Sequence, residues 1–390
     1  MGGQGRLGRG PGAHHRLVPG EAGGQGVSAS DELVRLACPD VGEEEAAAVA
    51  EVLASGRLTQ GPWVESLEAA LASTCSVGHA IAVSSGTAAL HLSVLALPLR
   101  PGDEVLVPAY TFPATANVVA LAGARPVLVD VDPEAMTIDA ERAAAAVTPR
   151  TRACIGVHLF GRPLAWEALV EALPERVVVI EDAAGALGAR RRERPCGSLG
   201  AMGCLSFHPR KVVTSGEGGA VTTSDSELAQ AVRRLRNHGW RPPGFADLPS
   251  PGLNYRLSDI LAAVALPQVR RLEELLAARQ GVASGYEARL AGVEGVCLPR
   301  AEPGDRHGWQ AYVVQLDRRD QALEALAAAG IEAQIGTFAL HRLSAYADQG
   351  PFPGADRAYE RALALPLHSR LRESDLDRVT EVVAAVASGR

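Results

Sequence analysis

Gly203-Cys-Leu-Ser-Phe-His-Pro-Arg-Lys-Val-Val-Thr-Ser-Gly-Glu-Gly-Gly219 reads as a short apolar run, a proline break, a lysine and a glycine cluster. The run ends at Ser206, Phe207 and His208. Pro209 stops it, and the glycines from Gly216 to Gly219 let backbone pass close to backbone. The pattern predicts a strand followed by a turn that displays Lys211. An amine held this way serves covalent catalysis when its surroundings lower its pKa, because only the neutral form attacks a carbonyl to give a Schiff base. A solvated lysine after a strand explains these residues equally well, so the decision rests with the surrounding chain.

Upstream, short apolar runs recur at His79–Val83, Glu104–Val107, Pro126–Val129, Ala153–Val157 and Val177–Ile180, with Leu205–Phe207 as the next. Amphipathic or alanine-rich helical stretches lie between several of them, near Thr87–Leu97, Pro113–Ala122, Asp139–Ala146 and Leu164–Ala172. Two helices precede this region, at Glu43–Leu53 and Trp63–Ser73. Repeated strand–helix alternation predicts an α/β fold with a mostly parallel sheet and helices on both faces, where ligands sit at the carboxyl ends of the strands. After a run at Ala220–Thr223, helices are expected at Asp225–Arg236 and Ser258–Ala278, the latter long enough to bridge two parts of the molecule. Beyond Gly281 the pattern changes to strands near Gln310–Leu316 and Ile331–Ile335, with helices at Arg319–Ala328 and Ser374–Val386. The expected organisation is a glycine-rich disordered leader over 1–30, a large domain over 31–280 and a smaller α+β domain over 281–390.

The chain is 47% hydrophobic and 21% charged over 390 residues, enough for a sizeable core. A net charge of −7 gives no reason to expect nucleic acid as a partner. The run Arg190–Arg194 reads as a solvated hairpin. Six scattered cysteines with no CxxC pair suggest reduced thiols in a cytoplasmic protein. No window is apolar enough to span a membrane. No histidine pairs with another His or Cys at metal-ligand spacing outside the leader, so no metal is expected.

Four further stretches carry chemistry. Ser84-Ser-Gly-Thr-Ala-Ala-Leu90 follows an apolar run and opens a helix, where free N–H groups with Gly86 and Thr87 can hold a phosphate, although Ser and Thr also serve there as plain caps. Glu181 and Asp182 end an apolar run, where a carboxylate can hold a protonated ring nitrogen. Pro108-Ala-Tyr-Thr-Phe-Pro113 offers Tyr110 and Phe112 to a planar ligand. Asn254-Tyr-Arg-Leu-Ser-Asp259 opens the long helix. His208 and His238 read first as structural hydrogen-bonding residues, and His341 with Arg342 is placed at a substrate entrance by position alone.

In this order the motifs resemble those of the DegT/StrS-type pyridoxal phosphate-dependent sugar aminotransferases of fold type I, from about Leu33 to the C-terminus. The resemblance implies that Lys211 carries the cofactor, that Asp182 partners the pyridine nitrogen, and that Phe112 covers the ring. It places Gly86, Thr87 and Ser206 around the phosphate and brings Asn254 to the site of the partner subunit in a homodimer. It implies transfer of an amino group, with pyridoxamine phosphate as the intermediate form, from an amino acid such as L-glutamate to a nucleotide-activated keto-deoxysugar in amino-sugar biosynthesis. Amination of a keto-cyclitol and a non-catalytic regulatory binder of the cofactor are the alternatives. One position departs from the family pattern: Gly185 stands where a Gln or His near the ring hydroxyl is common.

Overall fold

The computed structural model describes residues 33–241 and 247–389. The leader expected over 1–30 lies outside them. Seven strands form the main sheet: β1 (His79–Val83), β2 (Glu104–Pro108), β3 (Arg125–Val129), β4 (Thr151–Val157), β5 (Val178–Asp182), β6 (Met202–Ser206) and β7 (Gly219–Thr223). Their order is β1-β7-β6-β5-β4-β2-β3. β7 runs antiparallel to β1 and β6, and every other pairing is parallel. This is the expected α/β architecture.

The strands are apolar on both sides because both faces are covered. In β1, Ile81 and Val83 enter one core cluster with the helix Gly86–Leu95, while Ala80 and Ala82 enter the other, with Leu67 and Leu71 of the helix Pro62–Thr74. Parallel register brings the ends of β4 and β5 level, pairing Val157 with Asp182, and Asp182 is in turn level with Cys204 of β6. Asp182 and the lysine turn after Ser206 therefore leave the same edge of the sheet.

The single helix expected over Ser258–Ala278 is two helices, Asp259–Arg270 and Leu272–Leu290, meeting at Arg271. Arg271 departs from helical dihedrals, with φ −103° and ψ 23°, although its N–H still donates to Pro267 O. Arg271 also turns its guanidinium to Asp40 and Glu45, at 3.2 and 2.9 Å. Gly281 does not end the second helix. It faces open space and is carried by its helical neighbours.

A second, antiparallel sheet contains β8 (Val296–Cys297), β9 (Tyr312–Leu316), β10 (Gln334–Ile335) and β11 (Ala362–Leu365), ordered β8-β9-β11-β10. Tyr312 and Val314 pack with Tyr286 of the helix Leu272–Leu290 and with Leu376 and Val379 of the helix Glu373–Ala387. The rings of Tyr286 and Tyr312 stack at 4.8 Å. Arg190–Arg191 and Arg194–Pro195 form the expected hairpin, but Arg191 is buried and paired with Glu167 and Asp305 rather than solvated. Among the described residues no helix is long and apolar enough to cross a membrane.

Candidate active site

The turn after β6 is built by its own hydrogen bonds. Phe207 N–H donates to Gly218 O at 2.8 Å, Lys211 N–H to His208 O at 2.8 Å, and Thr214 Oγ1 to Phe207 O at 2.9 Å. Glycine is required at Gly219, where a Cβ would meet Leu205 O at 2.5 Å and the Ser85 backbone at 2.7 Å. The same crowding holds at Gly86, whose Cβ would meet that of Ser206 at 2.7 Å. These close approaches seat Ser206 against the start of the helix Gly86–Leu95. Ser85 caps that helix by accepting from Ala88 N–H at 3.0 Å, and the N–H groups of Gly86 and Thr87 have no intrahelical acceptor.

A cavity of about 590 Å³ opens here, with Gly86, Thr87, Phe112, Asp182, Ser206 and Lys211 in its wall. Six of the residues singled out from the sequence thus converge on one space. Burial pulls the Lys211 amine down to about 8, with Arg210 adding to the effect and Asp182 opposing it. Burial also raises the Asp182 carboxyl, against the Thr115 hydroxyl, the Ala184 N–H and Lys211. For both groups desolvation outweighs their mutual attraction. Thr115 Oγ1 donates to Asp182 Oδ2 at 2.9 Å and Ala184 N–H to Oδ1 at 3.2 Å. Phe112 is 60% exposed, and its ring meets Phe338 edge-on at 6.2 Å. Tyr110 does not line the cavity: it is buried, and its hydroxyl accepts from Thr337 N–H at 3.1 Å.

Three other residues lie elsewhere. Asn254 is exposed, bridges to Asn237 and is not in the cavity wall. His341 and Arg342 also lie outside it, since Asp356 takes both, at 2.9 and 2.5 Å, and Glu360 takes Arg342 at 2.5 Å. With those side chains engaged by Asp356 and Glu360, neither lines the cavity. His208 lines the cavity and His238 does not.

Sequence reading missed several participants. Thr115 gave no signal beyond its place in a helix. Gln310, arriving from just before β9, fills the space left at Gly185, where a Cβ would meet its side chain at 3.4 Å. Arg279, buried in the helix Leu272–Leu290, donates to the carbonyls of Trp309, Leu367 and Lys211 at 3.1, 3.3 and 3.4 Å. It ties the lysine turn to the approaches of the second sheet.

His158 lines the cavity, and its Nδ1 accepts from Leu164 N–H at 2.9 Å. Its Nε2 therefore carries the proton and donates to Glu181 Oε1 at 2.9 Å. Glu181 also accepts from the N–H groups of Gly197, Leu199 and Gly200. With Cys196 these residues form a trio of possible metal ligands within 4.8 Å, but the Glu181 oxygens are spent on these donors and burial holds the Cys196 thiol protonated. Their work is to fix the turn that feeds β6. Glu181→Gln replaces an acceptor by an amide that donates into the same N–H groups, and a loss of about 3 kcal/mol is expected. Chemical denaturation reads it as a lower midpoint at unchanged slope.

Residues 39–384 match the DegT/DnrJ/EryC1/StrS aminotransferase family. GDP-perosamine synthase of Caulobacter vibrioides is 41% identical over 328 residues, 82% of this chain and 88% of that protein. The crystal structure of S. venezuelae DesV in complex with a ketimine intermediate superposes with a TM-score of 0.84 at 37% identity, covering 88% of this chain and 94% of the other. The aminotransferase TlmJ from Streptoalloteichus hindustanus gives 0.88 at 36% identity, covering 92% and 99%. The chain belongs to the DegT/DnrJ/EryC1/StrS aminotransferase family and is an aminotransferase of fold type I.

Proposed function

We propose that this chain uses pyridoxal 5′-phosphate to move an amino group from L-glutamate to a nucleotide-activated keto-deoxysugar, in amino-sugar biosynthesis. The observation that carries the reading is one cavity in which a lysine with lowered pKa faces a buried carboxylate, beside a helix start and an exposed aromatic ring. The residues fit the cofactor. The open N–H groups of Gly86 and Thr87 with the Ser206 hydroxyl would hold its phosphate, Asp182 its ring nitrogen, and Lys211 its aldehyde carbon. When bound, the cofactor supplies an electron sink next to the carbon that loses or gains a proton.

The chain supplies the rest. Lys211 Nζ takes the proton from the donor carbon and returns it on the other side of the exchange. Asp182 keeps a proton on the nitrogen opposite it, since a buried carboxylate is stabilised by a neighbouring cation. Phe112, exposed in the cavity wall, would cover one face of the bound ring and keep water from it. The nucleotide-sugar acceptor is supported by the relative that makes GDP-perosamine. The working assembly is a homodimer, a reading supported by Asn254 lying exposed and away from its own chain's cavity.

A pKa of about 8 leaves about a tenth of Lys211 neutral at pH 7 and half at pH 8. The rate at which cofactor-free protein captures added pyridoxal 5′-phosphate is expected to rise about tenfold per pH unit below 8 and to level above it. Stability of the cofactor-free protein follows the same group. The unfolded chain binds the Lys211 proton up to about pH 10.4 and the folded chain only to about 8, so stability rises between those values, by about 3 kcal/mol. Stopped-flow absorbance and denaturation at stepped pH check the two.

The direct test of function is the absorption spectrum of the protein with pyridoxal 5′-phosphate, before and after L-glutamate, followed by a nucleotide keto-sugar. A visible band that glutamate bleaches and the keto-sugar restores supports the whole reading. Failure to form any band overturns it, and restoration by an unactivated keto-cyclitol alone moves the acceptor to that class.

A further inference from the structure

Arg210 precedes Lys211 in the chain and lines the same cavity, and no other lining residue carries a guanidinium. Elsewhere buried or half-buried arginines find acceptors: Arg191 pairs with Glu167 and Asp305, Arg236 with Glu68 and Arg271 with Glu45, while Arg279 donates to backbone carbonyls. The Arg210 side chain has no hydrogen-bond or ion-pair partner among the described residues. Its backbone, by contrast, is fixed at both ends. The N–H donates to His208 Nδ1 at 3.3 Å, and the carbonyl accepts from Gln310 Nε2 at 3.2 Å.

The side chain is half-buried, and burial alone pulls its pKa down, because it loses water without gaining an anion. Such a group is stabilised when a ligand brings the missing charge, and its planar fork matches a carboxylate with two parallel hydrogen bonds. Two substrate groups could bring it. The donor's α-carboxylate is one bond from the carbon that must come within reach of Lys211. A nucleotide sugar instead carries its diphosphate several bonds from its ketone, and the cofactor phosphate has the helix start and Ser206. The residue adjoining Lys211 therefore matches the donor.

We propose that Arg210 binds the α-carboxylate of the amino-acid donor and so restricts the enzyme to amines that carry one. This rests on the aminotransferase reading and adds to it the recognition of the donor. Charge-assisted, two-point hydrogen bonding sets the expected size of the effect.

The test uses cofactor-loaded wild type, Arg210→Gln and Arg210→Lys, and follows the donor half-reaction by absorbance with L-glutamate and with an alkylamine lacking the carboxylate. The expected result is a KM for glutamate raised about 10- to 100-fold in Arg210→Gln, with Arg210→Lys between it and wild type. The KM for the alkylamine and that for the nucleotide keto-sugar should stay within about twofold, while any change in kcat through the Lys211 amine is shared by both amines. Equal rises in KM with both amines would show a structural role and overturn the proposal. So would a change confined to the KM of the nucleotide sugar, or to retention of the cofactor. A wild-type protein that converts neither amine overturns the aminotransferase reading itself, and is distinguished by being seen before any substitution is made.

Discussion

Lys211→Ala is expected to abolish turnover, with a fall of at least about 10⁴-fold, because in the proposed function one side chain supplies both the nucleophilic amine and the proton carrier, and proton transfer alone contributes about 10²- to 10⁴-fold. The physical basis is the environment of the amine. Burial and the adjoining Arg210 favour the neutral form, while Asp182 keeps the pKa from falling further. Alanine removes a cation whose burial costs stability below pH 8, so the variant without cofactor should unfold no more easily than wild type. Two measurements separate lost chemistry from lost folding. Borohydride treatment of protein mixed with pyridoxal 5′-phosphate should leave a stable mass increase on wild type and none on the variant, while the melting temperatures remain close. A variant that still turns over would remove Lys211 from the mechanism.

Asp182→Asn is expected to lower kcat by about 10²- to 10³-fold, the range seen when one preorganised electrostatic partner is removed from a site. An amide keeps the shape and can still accept from Thr115 Oγ1, now 2.9 Å from Asp182 Oδ2, but it cannot hold a proton on a ring nitrogen by charge. Removing the carboxylate also removes the one influence that raises the Lys211 pKa, so that value should fall below about 8. The capture rate of added cofactor would then level at lower pH in the variant than in wild type, while turnover is poor at every pH. Faster capture with slower turnover assigns Asp182 to the ring and Lys211 to the bond. A variant with unchanged turnover would leave Asp182 as no more than a buried carboxylate held by Thr115 and Ala184.

Much of this was legible in the chain. Strands buried on both faces are continuous apolar runs, and the helices between them carry one apolar stripe, so the alternation from His79 to Thr223 announces a parallel sheet. The edge of that sheet where ligands gather follows from topology, and Gly86, Asp182, Ser206 and Lys211 all leave strands or open helices there. Local motifs carried these residues because each depends on neighbours within a few positions: a cap, a strand end, a glycine that permits close approach.

What only the tertiary structure decided depends on residues far apart in the chain. Tyr110 and Phe112 look alike as aromatics after β2, but pairing of Tyr110–Thr111 with Phe338–Ala339 puts Tyr110 in the core and leaves Phe112 open to the cavity. Gln310 reaches Gly185 across 125 residues, and Thr115 of the helix Ala114–Leu121 reaches Asp182 at the end of β5. His341 and Arg342 are residue types suited to a site, yet Asp356 and Glu360 claim them. The lysine's lowered pKa and the charge of Arg210, unpaired among the described residues, are likewise properties of surroundings. The sequence by itself determined the sheet and its ligand edge and singled out Lys211 and Asp182 as candidates, because those are written in local pattern. Burial, partner choice and the solvation of each charge were settled only when distant segments packed, because desolvation and pairing are sums over neighbours that no single stretch contains.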